Sequence, residues 1–309
     1  MTHSHHRSQW RLKRLHLEER LRRHQRRSSA AGERLAPRLL SHGIELGVRL
    51  AARLTGLHRR GWRNAMDLRV REVDFRLPDL PPAFDGYRIL HLSDLHVGSN
   101  PAMAAVWIEA LAGLACDLVA ITGDFQCHAK PPPAKIGQLL APLASALKPA
   151  DGVVAVLGNH DSADLVEVLE GLGIRVLVNE GLTLARGDGR IIVVGTDDVH
   201  AFYTPAAPQV LADHAEGFRI ALVHTVDLVD VAEAAGYALY LSGHTHAGQI
   251  ALPGGRPILT ALDRHRRLAV GVWRHGRLQG YTSAGTGSGA PAVRFNTRPE
   301  ATMIRLVRG

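Results

Sequence analysis

Cysteine is almost missing from this chain: Cys116 and Cys127 are the two cysteines in 309 residues, and neither lies in a CxxC pattern. That excludes a disulfide framework and a cysteine zinc site, and it fits a reducing, cytoplasmic compartment. Aromatic residues are scarce as well, at 5%. The basic N-terminal stretch has Trp10 and Trp62 as its clear aromatics and shows no base-stacking pattern, so specific nucleic-acid binding is not expected. No uncharged apolar run reaches the roughly 18 residues that a conventional membrane-spanning helix needs. No internal repeat appears. At 46% hydrophobic and 21% charged, the composition excludes collagen-like and wholly disordered chains.

What is present is unevenly spread. Residues 1–64 carry 16 Lys and Arg against four Asp and Glu; of the totals of 37 and 29, the remainder keeps 21 and 25. The formal +8 therefore belongs to an N-terminal arm attached to a mildly acidic body. His3, His5, His6 and the basic run Arg20 to Arg27 predict a mobile or only marginally helical tail over the first 28 residues. Arg22-Arg23 and Arg26-Arg27 resemble a twin-arginine export signal, but Ser28 to Arg34 is not the apolar core such a signal needs, and export is not expected. Farther on, Arg38, His42, Glu45, Arg49 and Arg53 recur at helical spacing beside a broad apolar side of Leu39, Leu40, Ile44, Val48 and Leu50. This predicts an amphipathic helix near 38–57 and peripheral contact with an anionic membrane through residues 38–60; packing on its own domain or on a second subunit is the alternative. The β-prone Val70, Val73 and Phe75, then Pro78, Pro81 and Pro82, mark a change of texture. The arm is accordingly 1–65 and the catalytic body 66–309.

In the body, short apolar strands repeatedly run into polar clusters. Tyr87–Leu92 ends in Ser93-Asp94-Leu95-His96, Asp117–Thr122 in Gly123-Asp124, and Gly152–Leu157 in Gly158-Asn159-His160-Asp161. Arg219–Val223 ends in His224, and Tyr237–Leu241 in Ser242-Gly243-His244-Thr245-His246. Helical patterns over Met103–Leu114, Lys135–Leu147 and Asp164–Leu172 fill the gaps, which predicts an α/β fold with function at the carboxyl ends of its strands. One Asp-x-His carries little weight, and a lone His224 reads as a core histidine. Five clusters in order, rich in oxygen and nitrogen donors and free of thiolate, point to divalent manganese, iron or zinc. The glycines at 123, 158 and 243 are expected to let the backbone turn sharply there.

This order of motifs resembles the calcineurin-like metallophosphoesterase superfamily. The words His91 to His96, Leu241 to His246 and Arg294-Phe295 through Pro299-Glu300 are similar to a bacterial membrane-associated phosphodiesterase branch, whose members include UDP-2,3-diacylglucosamine pyrophosphatases. The resemblance implies a four-layer fold, two packed mixed β-sheets flanked by helices, over about residues 68–307. It implies that Asp94, His96 and His246 hold one divalent metal, manganese foremost, and that Asn159, His224 and His244 hold another. Asp124 would bridge them, and His160 would stand beside the scissile bond with Asp161 orienting its ring. The implied reaction is hydrolysis of a phosphodiester or pyrophosphate by a metal-bridging hydroxide. A lipid-linked substrate at the inner-membrane face, such as UDP-2,3-diacylglucosamine, is one reading; a soluble broad-specificity or cyclic-nucleotide phosphodiesterase is the other. A non-enzymatic tether is disfavoured, because a structural metal site has no use for a spare His160.

Three departures fall near the expected cleft: Thr225-Val226-Asp227 lacks a usual proline, Ala247-Gly248-Gln249 stands where two glycines are common, and Phe125-Gln126-Cys127 lacks a frequent aspartate. None removes a ligand. His200 and Tyr203, after the strand Ile191–Gly195, are further candidates for substrate contact, and Cys127 reads as a small buried hydrophobe.

Overall fold

The computed structural model describes residues 2–30, 56–127, 131–213, 217–262 and 264–309. The chain divides into two compact units, 1–63 and 64–309. In the first, α1 spans Thr2–Ala30 as one helix, where the charge density predicted a mobile or marginally helical tail. The basic run is preceded by Glu18 and Glu19. Glu18 pairs one turn away with Arg14 at 3.4 Å and Arg22 at 3.2 Å, and Glu19 with Arg23 at 2.8 Å. Such pairs turn part of the repulsion into helix support in a segment of strong helix formers. The amphipathic helix expected near 38–57 falls mainly in residues 31–55, outside the described residues. A short helix α2, Leu57–Met66, ends at the entry to the body. No described helix is long and apolar enough to cross a membrane.

The body is built on two six-stranded mixed sheets. The first runs β1 (Arg69–Leu77), β12 (Glu300–Arg308), β2 (Arg88–Leu92), β3 (Leu118–Thr122), β4 (Val153–Val156) and β5 (Ile174–Val176). β2 to β5 are parallel, β12 lies antiparallel to β2, and β1 adds parallel to β12. The second runs β10 (Gly271–His275), β11 (Leu278–Thr282), β9 (Leu239–Ser242), β8 (Phe218–Leu222), β7 (Gly189–Gly195) and β6 (Glu180–Arg186), antiparallel at its two outer pairs. Crossovers between the parallel strands are helical: α3 (Met103–Leu111), α4 (Pro133–Ala146) and α5 (Leu165–Gly171) in the first sheet, α6 (Ala206–Asp213) and α7 (Val229–Ala234) in the second.

Strand periodicity explains the layering. Ile191 and Val193 of β7, and Ile220 and Leu222 of β8, meet Ile89, Leu118, Val154 and Val156 in one apolar layer between the sheets. Their neighbours Val194 and Ala221 face the other way, onto Ala207 and Leu211 of α6 and Val229 and Ala232 of α7. Because both faces are covered, these strands read as continuous apolar runs. The observed strands and helices match those predicted within a few residues, and the architecture is the two-sheet, helix-flanked α/β fold. The parallel strands β2, β3, β4, β8 and β9 all end at the polar clusters, so the two sheets bring five loops to one place.

Trp107 of α3 braces that place. It is 1% exposed, and its Nε1–H donates to the Thr286 carbonyl at 3.0 Å. Thr286 in turn exchanges hydrogen bonds with Ser93, the residue before Asp94. Trp107→Ala is expected to cost about 3–5 kcal/mol. Trp107→Phe, which keeps most of the packing and drops the hydrogen bond, should cost nearer ~1 kcal/mol. Urea denaturation of both variants checks the ratio.

Candidate metal centre

Asp94 and His96 follow β2, Asp124 follows β3, Asn159 and His160 follow β4, His224 follows β8, and His244 and His246 follow β9. The structure brings them together in two adjoining groups. In the first, Asp94 Oδ1 lies 3.4 Å from His246 Nε2, which faces His96 Nε2 at 3.0 Å. In the second, Asn159 Oδ1 lies 2.9 Å from His244 Nδ1 and 3.1 Å from His224 Nε2. Asp124 Oδ2 stands between the groups, 3.7 Å from His96 Nε2 and 3.4 Å from His224 Nε2. Its other oxygen accepts the His160 backbone N–H at 2.9 Å.

The outward ring nitrogens are anchored. His96 Nδ1 donates to the Gln126 carbonyl at 2.8 Å and His224 Nδ1 to the Thr122 carbonyl at 2.7 Å. Anchoring of this kind fixes the tautomer and leaves Nε2 as a lone pair aimed inward. Lone pairs and carboxylates that face one another at about 3 Å in a buried site repel, unless protons or a cation sit between them. The electrostatics point the same way. Burial works against a charged His96, yet the Cys127 thiol and the carboxylates of Asp124 and Asp94 pull its pKa up to about 9. Burial likewise opposes charge on His224, and Asp124 carries it well above the usual range. Burial would raise Asp124, but His224, His96 and His160 hold it well below the usual carboxylate range. Burial and the neighbouring His224 press His244 down to about 3. The donor set thus seeks positive charge, and its oxygen and nitrogen chemistry suits divalent transition cations.

Close approach needs glycine here. A Cβ on Gly243 would lie 1.8 Å from Ser93 Oγ and 2.4 Å from Asp94 Oδ2, and one on Gly158 would lie 2.1 Å from Asp124 Oδ1. Gly123 is the one of the three with a left-handed backbone, at φ +88°. The expectation that all three glycines serve sharp turns therefore holds for Gly123; the other two make room for carboxylates. The left-handed backbone falls instead on the chemistry-bearing residues: Asp94, His96, Asp124, His244 and His246 all have φ between 42° and 71°.

Asp161 binds the backbone: its Oδ2 accepts the N–H groups of Asp124 and Gly158, and its Oδ1 that of Gln126. It ties the β3 and β4 loops together. His160 itself is 25% exposed in its side chain, with Nε2 4.0 Å from Asp124 Oδ2. Cys127 is half-buried. His200 stacks obliquely on His244 with ring centroids 4.6 Å apart, whereas Tyr203 is 58% exposed.

Two contributors escaped the sequence reading. Gln126 holds His96 through its carbonyl and accepts from Ser162 through its side chain. Arg294 is fully buried behind His246, with its guanidinium on the carbonyls of Ala284, Gly287 and His246, and burial lowers its pKa to about 10. Nothing in periodicity marks either residue, since both act through backbone carbonyls. A third group, Asp230, His265 and His275, lies elsewhere on the body. There Arg267 donates to His275 Nδ1 at 3.1 Å, which puts the ring proton on Nε2 and aims it at Asp230 Oδ1, 2.8 Å away. That arrangement is a hydrogen-bonded brace.

Fold and site together define a metal-dependent phosphoesterase, and the chain belongs to the calcineurin-like phosphoesterase family, whose model matches residues 87–248. It is 30% identical over 257 residues to the uncharacterized metallophosphoesterase YkoQ of Bacillus subtilis, covering 79% of this chain and 92% of that protein. It is also 30% identical over 232 residues to the phosphodiesterase YaeI of Escherichia coli, covering 72% and 82%. A shorter likeness, 35% over 111 residues, relates 34% of the chain to 32% of the UDP-2,3-diacylglucosamine pyrophosphatase LpxG of Chlamydia trachomatis.

The backbone bonds of Asp161 generate a test. Asp161→Asn sets an amide against N–H donors and is expected to cost about 1–3 kcal/mol. The same loss should appear in a His160→Ala background. A coupling above about 1 kcal/mol in that double-mutant cycle would show that Asp161 also orients the His160 ring.

Proposed function

We propose that Asp94, His96 and His246 hold one divalent cation, that Asn159, His224 and His244 hold a second, and that Asp124 is shared by both. The observation that carries this reading is the position of Asp124 Oδ2, which faces an anchored imidazole of each group at 3.7 and 3.4 Å. When bound, the two cations supply a water acidic enough to attack near neutral pH and offset negative charge on the phosphoryl oxygens. Manganese is the cation that the resemblance puts first, and the imidazoles of the set equally admit iron and zinc.

The chain's own residues do the rest. Asn159 contributes a neutral oxygen where a carboxylate would cancel the charge that attracts phosphate. His160, partly open to solvent at the edge of the centre, donates a proton to the departing oxygen, an effect worth about 10²–10⁴-fold. Asp161 keeps the loops of Asp124 and His160 in register. The reaction is cleavage of a phosphodiester or pyrophosphate. The substrate is lipid-linked and reached at the cytoplasmic membrane face, with UDP-2,3-diacylglucosamine as the type. Support comes from a relative named for that substrate, from another named a phosphodiesterase, and from the basic residues 1–64, which complement an anionic bilayer.

Metal analysis of the purified protein, combined with hydrolysis of bis-aryl and mono-aryl phosphates, tests the reaction class. Two metals per chain and preference for the diester are expected; preference for the monoester would make the protein a phosphatase. His160→Ala should keep both metals and lose about 10²–10⁴-fold in kcat. Metal content that falls in step with rate would overturn the role given to His160. Hydrolysis of a UDP-lipid that gains nothing from anionic vesicles would remove the membrane from the reading.

A further inference from the structure

Next to the centre lies a cavity of about 850 Å³, and it is built from a stretch of chain that none of the motifs covers. That volume is ordinary for a small-molecule site, which spans roughly 300–1,000 Å³. Its lining begins at His200, the ring packed on His244, and continues through Arg256, Ile258, Leu259, Arg266 and Arg267. The cavity therefore opens beside the metal centre.

Charge and polarity in this stretch are unlike the rest of the body. Residues 251–275 contain five arginines and a single acidic residue, Asp263, in a body where acidic residues outnumber basic ones. Asp263 lies outside the described residues. Among the described residues no carboxylate pairs with Arg256, Arg266 or Arg267; Arg266 bonds the Leu262 carbonyl and Arg267 the ring of His275. Apolar exposure gathers in the same stretch. Leu252, Ile258, Leu259, Val270 and Val272 are all exposed, Leu259 at 77%. Elsewhere in the described body, Val70 and Tyr203 are the large hydrophobics exposed to a like degree. The brace of His265 and His275 on Asp230 fastens this stretch to α7, so the wall is held in place.

Unpaired guanidiniums beside exposed aliphatic side chains match a ligand with an anionic group and an alkyl chain in one molecule. We infer that this cavity binds the non-reacting part of the substrate, an anionic amphiphile: Arg256 and Arg266 take a second anionic group, and Ile258 and Leu259 take an acyl chain. The inference rests on the phosphodiesterase reading and deepens it, by assigning the lipid end of the substrate to a defined part of this chain. Binding energy collected there, away from the reacting phosphorus and shared by ground and transition states, appears in KM for acylated substrates.

The test compares three diesters on the full-length, metal-loaded protein: bis(4-nitrophenyl) phosphate, UDP-glucose, and CDP-dihexanoylglycerol kept below its micelle concentration. Wild type is expected to show at least ten-fold higher kcat/KM on CDP-dihexanoylglycerol than on UDP-glucose. Arg256→Ser with Arg266→Ser, and separately Ile258→Ser with Leu259→Ser, should lose at least ten-fold more on the acylated substrate than on the bis-aryl diester, chiefly in KM. Arg256→Glu, a single exposed change, gives the same readout should the double variant fold poorly, and Arg256→Lys should recover part of the loss. Equal losses on all substrates, or none, would overturn the proposal. Wild-type indifference to the acyl chains would overturn it while leaving the phosphodiesterase reading intact. Failure of wild type on every diester would sink both. A variant that loses affinity for phosphatidylglycerol vesicles but keeps its preference for the monomeric amphiphile would make this surface a membrane contact and overturn the cavity's assignment.

Discussion

A carboxylate that is 1% exposed and faces imidazoles on two sides is the constraint around which this body is arranged. Asp124 sits at the end of β3, the strand between β2 and β4, and its Oδ2 looks toward His96 on one side and His224 on the other. An isolated buried charge of this kind would cost several kcal/mol. It is tolerated because the second sheet delivers His224 and His244 from β8 and β9 to the same point that the first sheet delivers Asp94, Asp124 and Asn159. The two-sheet core is thus what makes such a donor set feasible. Each sheet alone offers only part of one.

Holding those donors strains the backbone. Five of the seven donor residues are non-glycine residues at positive φ, a conformation that costs on the order of 1–3 kcal/mol per residue and persists where surroundings over-determine it. Here the surroundings are identifiable. The Asp94 carboxylate accepts from Ser93 Oγ at 2.6 Å and from the His244 backbone N–H, while Asp161 clamps three backbone donors and Arg294 several carbonyls. The turn after His246 extends the pattern: Ala247 and Gln249 sit at φ 50° and 53°, a left-handed geometry that glycine would adopt freely.

Much of this was legible from residues alone, for a physical reason. Parallel strands covered on both faces leave long apolar runs, so Leu118–Thr122 and Phe218–Leu222 stand out, and the polar residue that ends each run is conspicuous. The edges were less legible. β10 and β11 form a local hairpin, but β11 joins β9 and β12 joins β1 and β2 from far away in sequence, and such pairing leaves no local mark. Asp161 and Arg294 were hard to read for a different reason: their partners are backbone groups, and the type of residue they touch carries no information. The helix of residues 2–30 escaped because counting charge ignores spacing, and two glutamates one turn from arginines are enough to reverse the sign of the local interaction.

Charge distribution connects the separate parts of the chain. The site itself gathers the carboxylates of Asp94 and Asp124 among four imidazoles; the body as a whole is mildly acidic and offers an anionic ligand little general attraction. Screening confines exposed charges to roughly 8–10 Å at physiological salt, so an exposed charge acts on its immediate surroundings. Arg256, Arg266 and Arg267 lie on the wall of a cavity that starts at the ring against His244. Arginine is concentrated in residues 1–64 and again in residues 251–275, while the rest of the body holds more acidic than basic residues, so two segments stand out from an acidic background.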